Sequence, residues 1–253
     1  MAFKVIAISG SLRKASTNTM ALHAAQRMAP EGMEIEIADI SRMPIYDDDL
    51  RALGEPTPVA DFKAKVRAAD AVLIATPEYN FSIPGVLKNA LDWASRPPEP
   101  PFDNKPVAIM GAAPGPVGTA RVQYHLRQVL VYMNSFTVNR PEVFICHSAA
   151  KFNATGDLID EVTAKFIAEL LLSLRALAER VSFKVMETSN EKDHQTTWRS
   201  LAGERDGFDK PLRSGAADVQ ADGWCEPPGD AAMGRADVDR VRPRGEQARR
   251  GLE

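Results

Sequence analysis

The nine residues Gly10-Ser11-Leu12-Arg13-Lys14-Ala15-Ser16-Thr17-Asn18 follow directly on the apolar run Phe3–Ser9. They read as a strand, a short polar loop and the start of a helix. The first N–H groups of a helix have no intrahelical acceptor, and the helix dipole places partial positive charge there. An anion set at that point gains N–H donors, hydroxyl donors from Ser11, Ser16 and Thr17, and charge pairing with Arg13. Such a segment also serves as an ordinary helix N-cap, where Ser, Thr and Asn are favoured anyway.

The loop lacks the GxxxxGK[ST] spacing of a P-loop and the GxGxxG of a dinucleotide fold. With one glycine, its backbone is not suited to close approach to a pyrophosphate. A terminal monophosphate held by side chains fits better, which favours a mononucleotide such as FMN over bound NAD or ATP.

Two further loops carry unusual chemistry. Thr76-Pro77-Glu78-Tyr79-Asn80-Phe81-Ser82-Ile83-Pro84-Gly85 offers a carboxylate, two aromatics, an amide and a hydroxyl between two prolines. The prolines stiffen it, and Pro84 suits the first turn of a helix. A rigid loop with aromatic faces can grip a flat ring; a plain connector with core-packing aromatics is the alternative. Gly111-Ala112-Ala113-Pro114-Gly115-Pro116-Val117-Gly118-Thr119 is built of small residues that let backbone approach a ligand closely. On its own it also reads as a flexible connector.

The elements that must position these loops are legible as alternating periods. Strands are expected at 4–9, 34–37, 71–76, 107–111 and 142–146, and helices at 17–28, 59–69, 85–94, 119–133 and 158–178. Ile159, Val162, Phe166, Ile167, Leu170, Leu171 and Leu174 recur at helical spacing in the last helix. Five short apolar strands alternating with five helices predict an α/β fold, a doubly wound parallel sheet covered on both faces. Ligands of such sheets bind beyond the carboxyl ends of the strands, where the loops after strands one, three and four would converge.

From about residue 183 the pattern fades into Gly, Pro, Asp and Arg. This segment carries 12 basic and 14 acidic residues. It is expected to be a mixed-charge tail of low order, with one transient turn near 196–202, because it offers little apolar surface to bury. A partner-binding or lid segment is the alternative.

The 253 residues are 44% hydrophobic and 26% charged with a formal net charge of -3, as expected of a globular protein. Nothing in that balance calls for nucleic acid or an anionic membrane. Two cysteines, Cys146 and Cys225, are too few and too far apart for a disulfide scaffold, a CxxC pair or a cysteine-ligated cluster. Cys146, in an apolar run, is expected to be a buried small hydrophobe. No metal site is expected, since the four histidines are scattered. With no run of 18 apolar residues and no signal-like amino terminus, a cytoplasmic location is expected.

The strand followed by GSLRKASTN, the loop PEYNFSIPGVLKNALDW and the small-residue loop GAAPGPVGTARVQ together resemble the NADPH-dependent FMN reductase family, over roughly residues 3–180. The family is flavodoxin-like and includes quinone, chromate and azo-dye reductases. The resemblance implies a flavodoxin-like FMN-binding reductase domain over residues 1–182, followed by the tail 183–253. Carried onto matching positions, it implies that Ser11, Arg13, Ser16, Thr17 and Asn18 hold the FMN phosphate. Pro77, Glu78, Tyr79, Asn80 and Ser82 would border the ring and ribityl chain, and Ala113, Gly115 and Gly118 the other side of the ring. Where relatives often carry Gly or Ser, this chain has Ala113-Pro114 and Pro116.

The activity implied is ping-pong hydride transfer from NADPH or NADH through flavin N5 to a small-molecule acceptor such as a quinone, free flavin, azo compound or chromate. No side-chain nucleophile is needed. A flavodoxin-like FMN electron carrier, or a non-catalytic flavin-binding protein, is the competing class. The resemblance also implies a homodimer or homotetramer, with Trp93, Tyr124 and Arg127 as candidate contact residues. Arg121 is a candidate for the nicotinamide phosphate or a subunit contact, against the plainer reading of a surface helix arginine.

Overall fold

A computed structural model describes the backbone of residues 2–202 and the side chains of residues 2–182. Its elements run β1 (Phe3–Ser9), α1 (Thr17–Arg27), β2 (Met33–Ala38), α2 (Asp48–Ala52), α3 (Thr57–Ala68), β3 (Ala71–Ala75), α4 (Gly85–Ala94), β4 (Pro106–Ala112), α5 (Ala120–Tyr132), β5 (Phe136–Thr137), β6 (Val143–Ile145) and α6 (Glu161–Ala202). The strands pair in the order β2-β1-β3-β4-β5, with β6 also on β4, and every pairing is parallel. This is the flavodoxin-like order, with its switch point between β1 and β3.

The alternation of side chains along each strand divides the core in two. Ile6 and Ile8 of β1, Val72 and Ile74 of β3, and Val107 and Ile109 of β4 face α3, α4 and α5, where they meet Phe62, Leu87, Leu91, Trp93 and Leu126. Val5 and Ala7, Leu73 and Ala75, and Ala108 and Met110 face α1 and α6, meeting Leu22, Ala25, Ile167, Leu170, Leu171 and Leu174. Both faces of the central strands are therefore dry, which is why β3 and β4 read as unbroken apolar runs. β2 lies at the sheet edge and alternates instead, with Glu34 exposed and Glu36 exposed.

Three details differ from expectation. The fifth strand position is shared by two short strands: β5 pairs with the start of β4 (Pro106↔Phe136) and β6 with its end (Ala112↔Ile145). Pro141 lies in the break and has no N–H to donate to a ladder. A short helix, α2, was not anticipated. The Asp47 carboxylate caps it by accepting from the Asp49 N–H at 2.9 Å. Finally, α6 starts at Glu161, because Leu158 bridges to Phe152 and the Ile159 N–H is taken by the Lys151 carbonyl at 2.9 Å.

The helical backbone of α6 continues to Ala202, past the expected end at residue 178 and through the segment 196–202 where only a turn was expected. The part of the expected tail beyond residue 202, and Cys225 with it, lies outside the described residues. No helix among the described residues is long and apolar enough to cross a membrane.

Candidate active site

A parallel sheet delivers all its strand ends to one edge. Here Ser9 of β1 is in register with Ala75 of β3, and Ala75 with Met110 of β4. The ladder continues one step into the loops, with the Gly10 N–H on the Ala75 carbonyl (2.8 Å) and the Thr76 N–H on the Met110 carbonyl (3.1 Å). The three loops singled out above therefore start side by side.

Two glycines make that closeness possible. A Cβ on Gly10 would lie 2.7 Å from Thr76 Oγ1 and 3.2 Å from Pro77 Cδ. A Cβ on Gly111 would collide with the Thr76 carbonyl oxygen and Thr119 Oγ1. Thr76 is thus flanked on both sides by residues without side chains, and its own hydroxyl donates to the Pro77 carbonyl at 2.9 Å.

In the first loop, Ser11 and Ser16 are buried, Arg13 is exposed and Thr17 is half-buried. Ser9 Oγ braces the turn, donating to the Ser11 carbonyl at 3.1 Å and bonding Thr19 Oγ1 at 2.8 Å. Ser16 occupies the N-cap of α1, yet its hydroxyl makes no capping bond, and the first turn holds no acidic side chain. An N-cap serine usually satisfies one of its own helix's orphan donors. Here the hydroxyl makes no such bond, and Arg13 stands in the same loop. That donor set fits a phosphate.

Asn18 does something else with its side chain. Nδ2 donates to the Ala112 carbonyl at 2.9 Å, and Oδ1 accepts from the Ala112 N–H at 2.8 Å. One amide N–H and the amide oxygen tie α1 to the end of β4.

In the second loop, Pro77 is buried, Tyr79 and Asn80 are exposed, and Ser82 is half-buried. The Glu78 carboxylate is only 5% exposed. It accepts from Arg121 Nε at 2.6 Å and from the Val122 N–H at 3.1 Å, both in the first turn of α5. Asn80 and Phe81 have φ of +51° and +64°. Left-handed conformations of this kind cost on the order of 1–3 kcal/mol each for residues other than glycine and cluster at functional sites.

In the third loop, Ala113 and Gly115 are half-buried and Gly118 is buried against Phe144 and Cys146. The chain after β6 supports it: Ser148 N–H donates to the Ala113 carbonyl (3.1 Å) and His147 N–H to the Gly115 carbonyl (3.2 Å). Thr17 Oγ1 donates to Ser148 Oγ at 3.3 Å, so the same segment also reaches the first loop. Residues 146–148 have no place in the site expected from the sequence. Their one signal was position, directly after a strand of the same sheet. Cys146, expected to be buried, is only partly covered and carries a free thiol.

One of the other expectations changes. Trp93, offered as a subunit contact, is 0% exposed and donates its indole N–H to the Pro44 carbonyl at 2.9 Å, so it meets no second subunit. Arg121 is an exposed arginine on α5, as its plainer reading has it, and there it pairs with Glu78. Among the described residues no cluster of three or more His, Cys, Asp or Glu could hold a metal.

A model of the NADPH-dependent FMN reductase family matches residues 3–150. The chain belongs to this family. An NAD(P)H-dependent FMN reductase from Pseudomonas aeruginosa is 52% identical over 178 residues, covering 70% of this chain and 96% of the relative. An NADPH:quinone oxidoreductase from Arabidopsis thaliana is 45% identical, covering 72% and 94%. Among solved structures, a flavoenzyme NAD(P)H:(acceptor) oxidoreductase from Paracoccus denitrificans superposes with a TM-score of 0.66 at 36% identity, covering 71% of this chain and 98% of that one. As a member of the NADPH-dependent FMN reductase family the chain is an oxidoreductase, which sets aside the electron-carrier and non-catalytic readings.

Proposed function

We propose that the convergent loops form an FMN site for NAD(P)H-dependent reduction of a small-molecule acceptor, a quinone foremost. The observation that carries this is Ser16: an N-cap residue only 1% exposed whose hydroxyl makes no capping bond, in a first turn free of acidic side chains, next to Arg13. Ser11, Ser16, Thr17, Arg13 and the first-turn N–H groups of α1 hold the phosphate. Asn18 contributes its backbone N–H, and its amide keeps the helix terminus in place.

Pro77, Glu78, Tyr79, Asn80 and Ser82 border one side of the ring, Glu78 by shaping the loop from beneath. Ala113, Gly115 and Gly118 border the other, where the lack of bulk admits close backbone approach. When bound, FMN supplies the redox chemistry, accepting a hydride from NADPH or NADH and delivering electrons to the acceptor. The residues of this chain bind and orient; none is required as a nucleophile or metal ligand.

The quinone assignment follows the relatives that share two fifths or more of the sequence. A homodimer or homotetramer in the cytoplasm completes the reading. The assembly, though not the location, is supported by Val131, Tyr132 and Phe136, large apolar residues at 76%, 75% and 43% exposure on α5 and β5. The test is the visible spectrum of the purified protein and its response to anaerobic NADPH and NADH. Flavin absorption that bleaches with either nucleotide is the expected result. A colourless protein that cannot be reconstituted with FMN returns the first loop to the role of a helix cap.

A further inference from the structure

The turn that closes the second loop is one that its residues disfavour. Tyr79 and Ser82 exchange both backbone hydrogen bonds, at 3.1 and 2.9 Å, around Asn80 and Phe81 with positive φ. Two-residue turns of this hand want Asn first and glycine second. Asn80 suits its position. Phe81 does not, because a Cβ in the left-handed region crowds the following carbonyl. Such a conformation persists only where the surroundings over-determine it.

The surroundings come from one helix. Arg121 lies with its guanidinium carbon 3.9 Å from the centroid of the Phe81 ring. Its Nε donates to Glu78 at 2.6 Å, while the Val122 N–H holds the other carboxylate oxygen. One turn further along α5, His125 Nδ1 pairs with Ser82 Oγ at 3.2 Å. Arg121 is the member that touches both ends of the problem. It is anchored by a nearly buried carboxylate before the turn and covers the aromatic ring at its strained corner.

We propose that Arg121 is a positioning residue. It latches Phe81 in the left-handed conformation and so keeps the Pro77–Ser82 loop in the shape that borders the cofactor ring. The inference rests on the reading of that loop as a cofactor wall. Only a flat guanidinium can donate edge-on to Glu78 and stack face-on against Phe81 at once. Lysine therefore does not replace it. Without the latch the strained turn opens part of the time, and apparent affinity falls with the fraction of loop that stays competent.

The test compares the unmodified full chain with Arg121→Ala, Arg121→Lys, Phe81→Gly and the double variant Arg121→Ala/Phe81→Gly. Affinity for FMN is read by flavin fluorescence, and amide hydrogen exchange at Tyr79 and Ser82 in the apo chain. Arg121→Ala and Arg121→Lys are each expected to weaken FMN binding about 3- to 10-fold and to speed exchange at both amides. Glycine adopts positive φ freely, so in the Phe81→Gly background the loss of Arg121 is expected to cost less than about 2-fold.

Unchanged affinity and exchange in Arg121→Ala overturn the proposal. So does an equal loss of affinity in both backgrounds, which would make Arg121 a direct ligand contact. If the unmodified chain binds no FMN, the cofactor reading fails, and the exchange data alone decide the latch. Faster exchange that Phe81→Gly reverses then supports it, and unchanged exchange overturns it.

Discussion

The side-chain amide of Asn18, in the first turn of α1, makes two hydrogen bonds to the backbone of one residue, Ala112 at the end of β4. Asn18 is 2% exposed and Ala112 is equally buried. The pair completes the sheet where the ladder runs out and sets the distance between the first and third loops. Replacing Asn18 with Ala strands a buried N–H and a buried carbonyl. Each such group costs about 1–3 kcal/mol, so a loss of about 2–6 kcal/mol is expected in chemical denaturation. A change within error would mean that water or a local shift satisfies Ala112.

Arg13 gives the opposite expectation. It is exposed, so its removal should leave stability nearly unchanged while weakening FMN. A charge-assisted bond to a phosphate predicts a loss of about 1–3 kcal/mol in binding for Arg13→Ala, read as a raised dissociation constant by fluorescence. An unchanged constant would remove Arg13 from the site.

Asp160 predicts a pH dependence. Hydrogen bonds from Lys151 and from Thr163, side chain and backbone, hold its carboxyl down to about 2 from the ordinary 3.8. A carboxyl depressed in the folded state stabilises fully above its unfolded value, and that stability is lost as pH falls through its folded value. The gap in stability between the unmodified chain and Asp160→Asn should therefore be constant above about pH 5 and shrink between about pH 4 and pH 2. Urea unfolding across that range measures it. A gap that grows toward acid would contradict the assignment.

The last prediction concerns the boundary proposed at residue 182. Among the described side chains of α6, up to residue 182, Ile167, Leu170, Leu171, Leu174 and Ala178 enter the core, with Leu177 at their margin. A chain ending there is expected to express, melt cooperatively and bind FMN like the full chain. Insolubility or lost flavin would place necessary contacts further along.

Much of this molecule is written in period and type. The unbroken apolar runs of β1, β3 and β4, against the 3.6-residue rhythm of α1, α3, α4 and α5, specify a covered parallel sheet. Only such a sheet buries both faces of those strands. The polar loop after β1 and the aromatic loop after β3 raise a ligand edge as one reading, with a helix N-cap and a plain connector as the others. Strand ends along one edge follow from parallel pairing, so the meeting of the three loops was also implicit.

What the sequence leaves open are partnerships between residues far apart in the chain. Nothing at position 18 says that Ala112, 94 positions away, will bond both the nitrogen and the oxygen of the Asn18 amide. Arg121 reads as a surface residue and is one, but its partners Glu78 and Phe81, about 40 positions earlier, are set only by the docking of α5. Trp93 reads as a possible contact until the Pro44 carbonyl captures its indole N–H in the core. Period reports which face a residue lies on. It carries no record of which polar group will stand opposite, because that pairing is settled when helices dock and every buried donor and acceptor must find a partner.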